Sequence, residues 1–128
     1  MKRALTLLAP LVLALGLAAC SSASGGQGGG TPPPAPAGGV QVVAKNLAFE
    51  QTSLTVKAGA TFDLQFVNQD SAPHNVAIYT DAAASSKVFG GDVITGGQTD
   101  YAVPPLRPGT YFFRCDVHPD MKGTITAQ

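Results

Sequence analysis

The chain has little charge and no tryptophan: 12% of its 128 residues are charged. Basic and acidic residues number eight each, so the formal net charge is zero. Such a balance excludes the basic face that binds nucleic acid and the polybasic patch that binds anionic lipid headgroups. Long apolar runs are also lacking, because no stretch reaches the roughly 20 residues that a membrane-spanning helix requires. Partners are therefore expected to be recognised through local contacts rather than through a strong overall field.

The N-terminus carries signals of export. Two basic residues at positions 2 and 3 precede an apolar stretch from Leu5 to Leu17, which predicts a signal peptide over residues 1–19. The following Leu-Ala-Ala-Cys sequence resembles a bacterial lipobox, which implies cleavage before Cys20 and a lipid on its sulfur. The protein would then be anchored to a membrane and face the periplasm or the cell exterior. An ordinary secretory signal with an incidental cysteine is the alternative.

Residues 20–39 are predicted to be a disordered linker that follows the lipidated cysteine. Glycine, serine and proline dominate this segment, and it has almost no apolar content beyond alanine. Such a composition cannot bury a core, and it gives a tether that is flexible in its Gly/Ser half and extended in its Pro half. The composition changes at Val40, so residues 40–128 are predicted to form the single folded domain.

Short segments of alternating character predict seven to eight strands within this domain, and no helical pattern of ten residues interrupts them. The clearest alternation puts three apolar side chains on one face: Phe62, Leu64 and Phe66. The polar residues Asn68 to Ser71 favour a turn. A further strand is predicted from Asn75 to Tyr79, with His74 at its start. Short strands at this spacing indicate an all-β sandwich.

A cluster of soft side chains lies near the C-terminus. Cys115, His118 and Met121 follow one another at the spacing Cys-x-x-His-x-x-Met, directly after the aromatic segment Tyr111 to Phe113. Thiolate and thioether ligands suit copper, and a cysteine, two histidines and a weak axial methionine describe a blue-copper site. The chain has one other histidine, His74, which would complete such a set.

Cysteine usage supports the same interpretation. If Cys20 carries lipid, Cys115 is a single free thiol in an exported protein, where no second cysteine can pair with it. A role as metal ligand explains its presence. Burial as a small apolar residue is the alternative, and the neighbouring His118 and Met121 weigh against it.

With its His-Pro step in the loop and Gly123 two residues after the methionine, this motif resembles the cupredoxins, the type 1 blue copper proteins. The short loop most resembles that of the amicyanin branch, and the Pro-His-Asn-Val sequence around His74 resembles both the amicyanin and the plastocyanin branches. The resemblance implies a Greek-key sandwich that binds one copper, cycles between Cu(I) and Cu(II), and carries single electrons between redox partners. By position it makes His74, Cys115 and His118 the equatorial ligands and Met121 the axial one.

The resemblance also assigns roles around the metal. Asn75 would tie the two ligand segments together by hydrogen bonds. His118 would face an apolar docking patch that contains Pro119. Asp116 and Asp120 depart from the family pattern and are expected to bring carboxylates near the metal, which would favour a basic partner or lower the reduction potential.

Other functions fit the composition less well. Two histidines are too few for a multicopper catalytic centre, and the loop lacks the second bridging thiolate of a dinuclear copper site. A cysteine nucleophile is disfavoured because no orienting group or acyl-binding motif accompanies Cys115. We therefore predict a monomeric non-enzyme whose partners are redox proteins such as a cytochrome, an oxidase or a dehydrogenase. The alternative is a periplasmic copper carrier or sensor module with the same fold.

Overall fold

The computed structural model describes residues 31–128. The predicted signal peptide and Cys20 lie outside the described residues. Over the described part no helix is long and apolar enough to cross a membrane. Its nine strands are β1 (Val40–Lys45), β2 (Ala48–Phe49), β3 (Ser53–Val56), β4 (Phe62–His74), β5 (Ala77–Tyr79), β6 (Lys87–Gly90), β7 (Ile94–Val103), β8 (Gly109–Arg114) and β9 (Lys122–Ala127).

The strands form two sheets that face each other. One has the order β2-β1-β4-β7 and the other the order β3-β9-β8-β5-β6. The pairs β1–β4 and β3–β9 are parallel, and the other pairs are antiparallel. The predicted all-β sandwich is thereby confirmed. The strand number is nine rather than seven or eight, because the two-residue strand β2 is too short to show a period.

Alternation along the strands builds the core. The three apolar side chains expected on one face of β4 are buried, with at most 7% of each exposed: Phe62, Leu64 and Phe66. Phe49 bridges the two sheets, because its ring lies 6.4 Å from that of Phe66 in one sheet and 5.5 Å from that of Phe113 in the other. Aromatic pairs at such separations add to the stabilisation that comes from burial of their surface.

The turn predicted at Asn68 to Ser71 is wrong, because β4 runs on through this segment to His74. Between Asn68 and Pro73, β4 advances five positions while its partner β7 advances two, which makes a bulge. The Asn68 side chain supports the bulge by donating to the carbonyls of Ala72 and Ile94. Polar residues that usually close turns here satisfy backbone groups inside a bent strand. His74 therefore ends β4 instead of beginning the next strand.

The described end of the predicted linker contacts the domain. The Pro33 carbonyl accepts a hydrogen bond from Gln41 Nε2, which also donates to Gln65 Oε1 at 2.6 Å. The Gly39 amide donates to the Pro36 carbonyl at 2.9 Å. The bonds of Gln41 tie Pro33 to the outer side of β1 and β4, so this part of the linker contacts the sheet before the chain enters β1.

A glycine is required at position 123 by close packing. A Cβ atom there would lie 2.5 Å from the Phe113 ring and 2.6 Å from the Thr52 carbonyl oxygen. Both neighbours are held in place, since Phe113 is in the core and the Thr52 carbonyl accepts the Thr124 amide at 2.9 Å. A side chain at this position would therefore force the strand away from β8.

We expect Gly123→Ala to lower the free energy of unfolding by about 1–3 kcal/mol, the usual cost of overpacking a close-packed interior. Gly90→Ala is the matched control, since its Cβ would meet only the flexible Lys87 side chain, at 3.4 Å. Denaturant unfolding of the metal-free protein measures both. Equal stability of the two variants would contradict the packing argument.

Candidate metal centre

The site begins where β8 ends. Cys115 follows the last residue of β8, and its side chain is fully buried. The chain then turns back on itself, because the Met121 amide donates to the His118 carbonyl at 3.0 Å and the Cys115 amide donates to the Met121 carbonyl at 2.9 Å. These two bonds fix the short loop between β8 and β9 and hold Cys115 and His118 on the same side of it.

The end of β4 supplies the third side chain. His74 is fully buried, and its Nδ1 lies 3.8 Å from Cys115 Sγ and 3.0 Å from His118 Nδ1. The distance between Cys115 Sγ and His118 Nδ1 is 4.0 Å. The structure thus brings together three of the four ligands predicted from the sequence, although His74 and Cys115 are 41 positions apart.

These distances fit one metal ion. Typical bonds from a first-row metal are about 2.0 Å to imidazole nitrogen and about 2.3 Å to thiolate sulfur, as for zinc. Each distance between two of the three atoms, His74 Nδ1, Cys115 Sγ and His118 Nδ1, is shorter than the sum of the two corresponding metal bonds. One ion can therefore reach all members of this trio. A thiolate with two imidazoles also has the ligand softness that favours copper. His74, Cys115 and His118 are therefore placed to bind a metal.

Asp70 orients His74 from behind. Its Oδ2 lies 3.0 Å from His74 Nε2, so Nδ1 is the nitrogen left to face Cys115. The same carboxylate accepts the backbone amides of Asn46 at 2.7 Å and Leu47 at 3.0 Å. Burial raises the pKa of Asp70, but the bonds from Leu47, Asn46 and His74 outweigh it, and the pKa falls below its ordinary value of 3.8.

Asn75 joins the two segments that carry the ligands. Its Oδ1 accepts the Asp116 amide at 2.8 Å, one residue after Cys115. Its Nδ2 donates to the Gly91 carbonyl at 3.0 Å and to Asp116 Oδ2 at 3.2 Å. With 3% of Asn75 exposed, these bonds are shielded from water and hold the end of β4 against the end of β8.

The remaining predicted residues lie nearby. Met121 is buried within the core that also contains Cys115, so its side chain is on the inner side of the loop. Asp116 is directed towards β5 and β6, where Tyr79 and Lys87 bind it, while Asp120 is exposed.

The outer edge of the site is apolar. His118 is the one member of the trio that is only partly buried. Val117 beside it is 43% exposed, and Pro119 on its other side is also exposed. Val93 is 51% exposed and directly precedes Ile94, which pairs with His74. An apolar rim around one accessible ligand is suited to contact with another protein.

Sequence reasoning missed Asp70, since it was assigned to a turn. The available signal was the spacing Asp-x-x-x-His. Residues four apart in a regular strand share a face but lie too far apart to bond, so only the bulge in β4 lets Asp70 Oδ2 reach His74 Nε2.

We expect Asp70→Asn to destabilise the metal-free protein by about 1–3 kcal/mol at neutral pH, because charged hydrogen-bond acceptors contribute about this much. Folding lowers the pKa of Asp70, so its stabilisation is present above the unfolded value and is lost as the pH falls through the folded value. The difference from wild type should narrow below about pH 4. Denaturant unfolding at a series of pH values measures this difference. Asp100→Asn is the control, because Asp100 on β7 is exposed. A difference that grows in acid would contradict this assignment.

Comparison with known proteins identifies relatives of the whole domain. A family model described as a cupredoxin-like domain matches residues 7–127. Amicyanin-alpha of Methylorubrum extorquens is 32% identical over 94 residues, which are 73% of this chain and 76% of that protein.

Solved structures agree in architecture. Auracyanin from Roseiflexus castenholzii, at 22% identity, has a TM-score of 0.64 over 74% of this chain and 99% of its own, a likeness of fold. An amicyanin variant solved in its Cu(I) form is 27% identical, with a TM-score of 0.55 over 71% of this chain and 83% of that one. By the family model, the sequence identity and the fold, the chain belongs to the cupredoxin-like domain family.

Proposed function

We propose that the protein is a blue copper protein that carries single electrons between redox partners outside the cytoplasm. The observation that carries this proposal is the convergence of a buried thiol and two imidazole nitrogens, all within 4.8 Å of one another. One copper ion bound there would supply a reversible one-electron couple. The likeness to an amicyanin variant whose structure is of the Cu(I) form supports copper as the metal.

The protein's own residues make the site rigid. Asp70 fixes the His74 ring, and Asn75 fixes the backbone beside Cys115. Side chains held in this way change little when the charge of the site changes, which keeps the reorganisation on electron transfer small. Full burial of His74 and Cys115 also excludes water from the ligands. Electrons are expected to enter and leave through His118, the partly exposed ligand within the apolar rim.

The fourth ligand is assigned to Met121. Its side chain is buried in the same core cluster as Cys115, and its carbonyl accepts the Cys115 amide at 2.9 Å. The Met121 thioether would add a weak fourth ligand to three strong ones and would tune the reduction potential of a bound copper. We assign Asn75 to the support of both ligand segments on the basis of its three hydrogen bonds.

Anchoring and partners follow from the N-terminal sequence and the apolar rim. Cys20 is assigned to lipidation, residues 20–39 to a tether and residues 40–128 to the cupredoxin domain. The protein would work as a monomer without enzymatic activity and would deliver electrons to a cytochrome, an oxidase or a dehydrogenase. A copper carrier or sensor is the alternative, and it is disfavoured because a metal held by two fully buried ligands exchanges slowly.

We expect Cu(II) to give the purified protein an intense blue thiolate-to-copper band and a narrow EPR hyperfine splitting, and both to disappear on reduction. Cys115→Ser removes the thiolate, so the band should be lost. Met121→Leu retains the three strong ligands, so the band should persist with a raised reduction potential. A pale complex with ordinary copper EPR, or rapid loss of metal to a mild chelator, would favour the carrier.

The two cysteines allow a paired test of anchoring. We expect Cys20→Ser to move the protein from the membrane fraction to the soluble fraction while the blue band stays intact. Cys115→Ser should lose the blue band but stay in the membrane fraction, because Cys115, which follows β8, plays no part in lipidation. Fractionation of expressing cells followed by mass spectrometry of the N-terminal peptide measures both. Membrane association of Cys20→Ser equal to that of wild type would refute the lipid anchor.

A further inference from the structure

A second group of interacting side chains adjoins the metal loop and centres on Asp116. One carboxylate oxygen accepts the Tyr79 hydroxyl, and the other accepts Lys87 Nζ at 2.7 Å and Asn75 Nδ2 at 3.2 Å. The backbone amide of Asp116 is bound as well, by Asn75 Oδ1 at 2.8 Å. The residue after Cys115 is thus held through both its backbone and its side chain.

The cation that reaches Asp116 comes from the edge of the sheet. Lys87 begins β6, the outermost strand, and a register shift after Ile78 pairs it with Tyr79. Lys87 Nζ lies 5.5 Å from the centre of the Tyr79 ring, and the Arg114 guanidinium carbon lies 5.0 Å from it. Tyr79 is 3% exposed, so both cations lie within cation–π range of a buried ring, and its hydroxyl donates to the Asp116 carboxylate.

The ion pair between Lys87 and Asp116 is expected to contribute little to the stability of the fold. The Lys87 side chain is 46% exposed and that of Asp116 is 28% exposed, and ion pairs this accessible contribute little to folding. Their position gives them a different effect. Asp116 directly follows the proposed thiol ligand Cys115. A negative charge so near the site stabilises the more positive oxidation state of a bound metal. A cation on the same carboxylate cancels part of that influence.

We propose that Lys87 is a positioning residue that neutralises and holds the Asp116 carboxylate, and that this pair, together with Tyr79, sets the reduction potential of the metal centre. The inference rests on the proposed copper site and deepens it. The carboxylate expected near the metal is therefore not a free charge that lowers the potential or attracts a basic partner. It is one half of a pair, and the strength of the pairing determines how much of its charge acts on the site.

The test is a double-mutant cycle on the copper-loaded, full-length protein, with the reduction potential measured by spectroelectrochemical titration of the blue band. Lys87→Met leaves the carboxylate uncompensated, so the potential should fall. Asp116→Asn removes the negative charge, so the potential should rise. Each change should alter the Cu(II)/Cu(I) equilibrium ratio at a fixed ambient potential by roughly three- to tenfold, as for a unit charge in a partly solvated medium. The double variant should return close to wild type, since the net charge of the pair is restored.

Two further variants separate charge from packing. Lys87→Arg retains the cation and should retain the wild-type potential, and Tyr79→Phe should lower the potential by less than Lys87→Met does. Lys57→Met is the matched control, because Lys57 is exposed and follows β3 at the end of the sandwich away from the metal loop. Its charge is expected to be screened by salt over that distance.

The outcomes are distinct. A Lys87→Met potential equal to that of wild type or of Lys57→Met would overturn the proposal. So would a Lys87→Arg potential as low as that of Lys87→Met, because the effect would then arise from packing. Absence of a blue band from the wild-type protein would instead refute the copper site itself. EPR hyperfine splitting that stays unchanged in Lys87→Met while the potential shifts would support an electrostatic role.

Discussion

The site depends on the approach of two strand ends from opposite sheets. His74 at the end of β4 and Cys115 after β8 are both fully buried, with His74 Nδ1 and Cys115 Sγ 3.8 Å apart. Polar atoms withdrawn from water cost free energy unless something compensates them. A metal ion is the natural compensation for a thiol and two imidazoles that face one point. The rest of the sandwich can be understood as the means of holding these two ends together, since no local segment of the chain contains both.

The bulge in β4 brings a supporting carboxylate to His74. The bulge between Asn68 and Pro73 bends the strand over the end of the sandwich, and it returns Asp70 to within 3.0 Å of His74 Nε2. The same carboxylate holds the backbone of Asn46 and Leu47, both of which adopt left-handed conformations with φ of 54° and 58°. Non-glycine residues rarely adopt this conformation, and they do so where surrounding bonds enforce it. The partly exposed Asp70 carboxylate therefore links the turn between β1 and β2 to His74.

The carboxylates that support the site are each bonded to neighbouring groups and do not form a large patch of one sign. The chain has no formal net charge, and the carboxylates beside His74 and Cys115 are both engaged: Asp70 by His74 and backbone amides, Asp116 by Lys87 and Tyr79. The exposed rim beside His118 is apolar, with Val117 and Val93 on its surface. An exposed apolar surface of this kind is suited to contact with another protein.

The fold class and most of the candidate metal site can be predicted from local patterns in the sequence. Period-two alternation reports which face of a strand is buried, and Cys115, His118 and Met121 lie so close in the chain that their proximity needs no long-range information. The all-β sandwich predicted from this alternation and the family inferred from the resemblance of the loop are both confirmed. The residues that surround His74 and Cys115, in contrast, are visible only in the three-dimensional structure. Asp70 reaches His74 because β4 contains a bulge, and Lys87 reaches Asp116, 29 positions away, because β5 and β6 pair with a shifted register. Strand registers and bulges arise from the packing of strands that are distant in the chain, so local sequence patterns do not predict them.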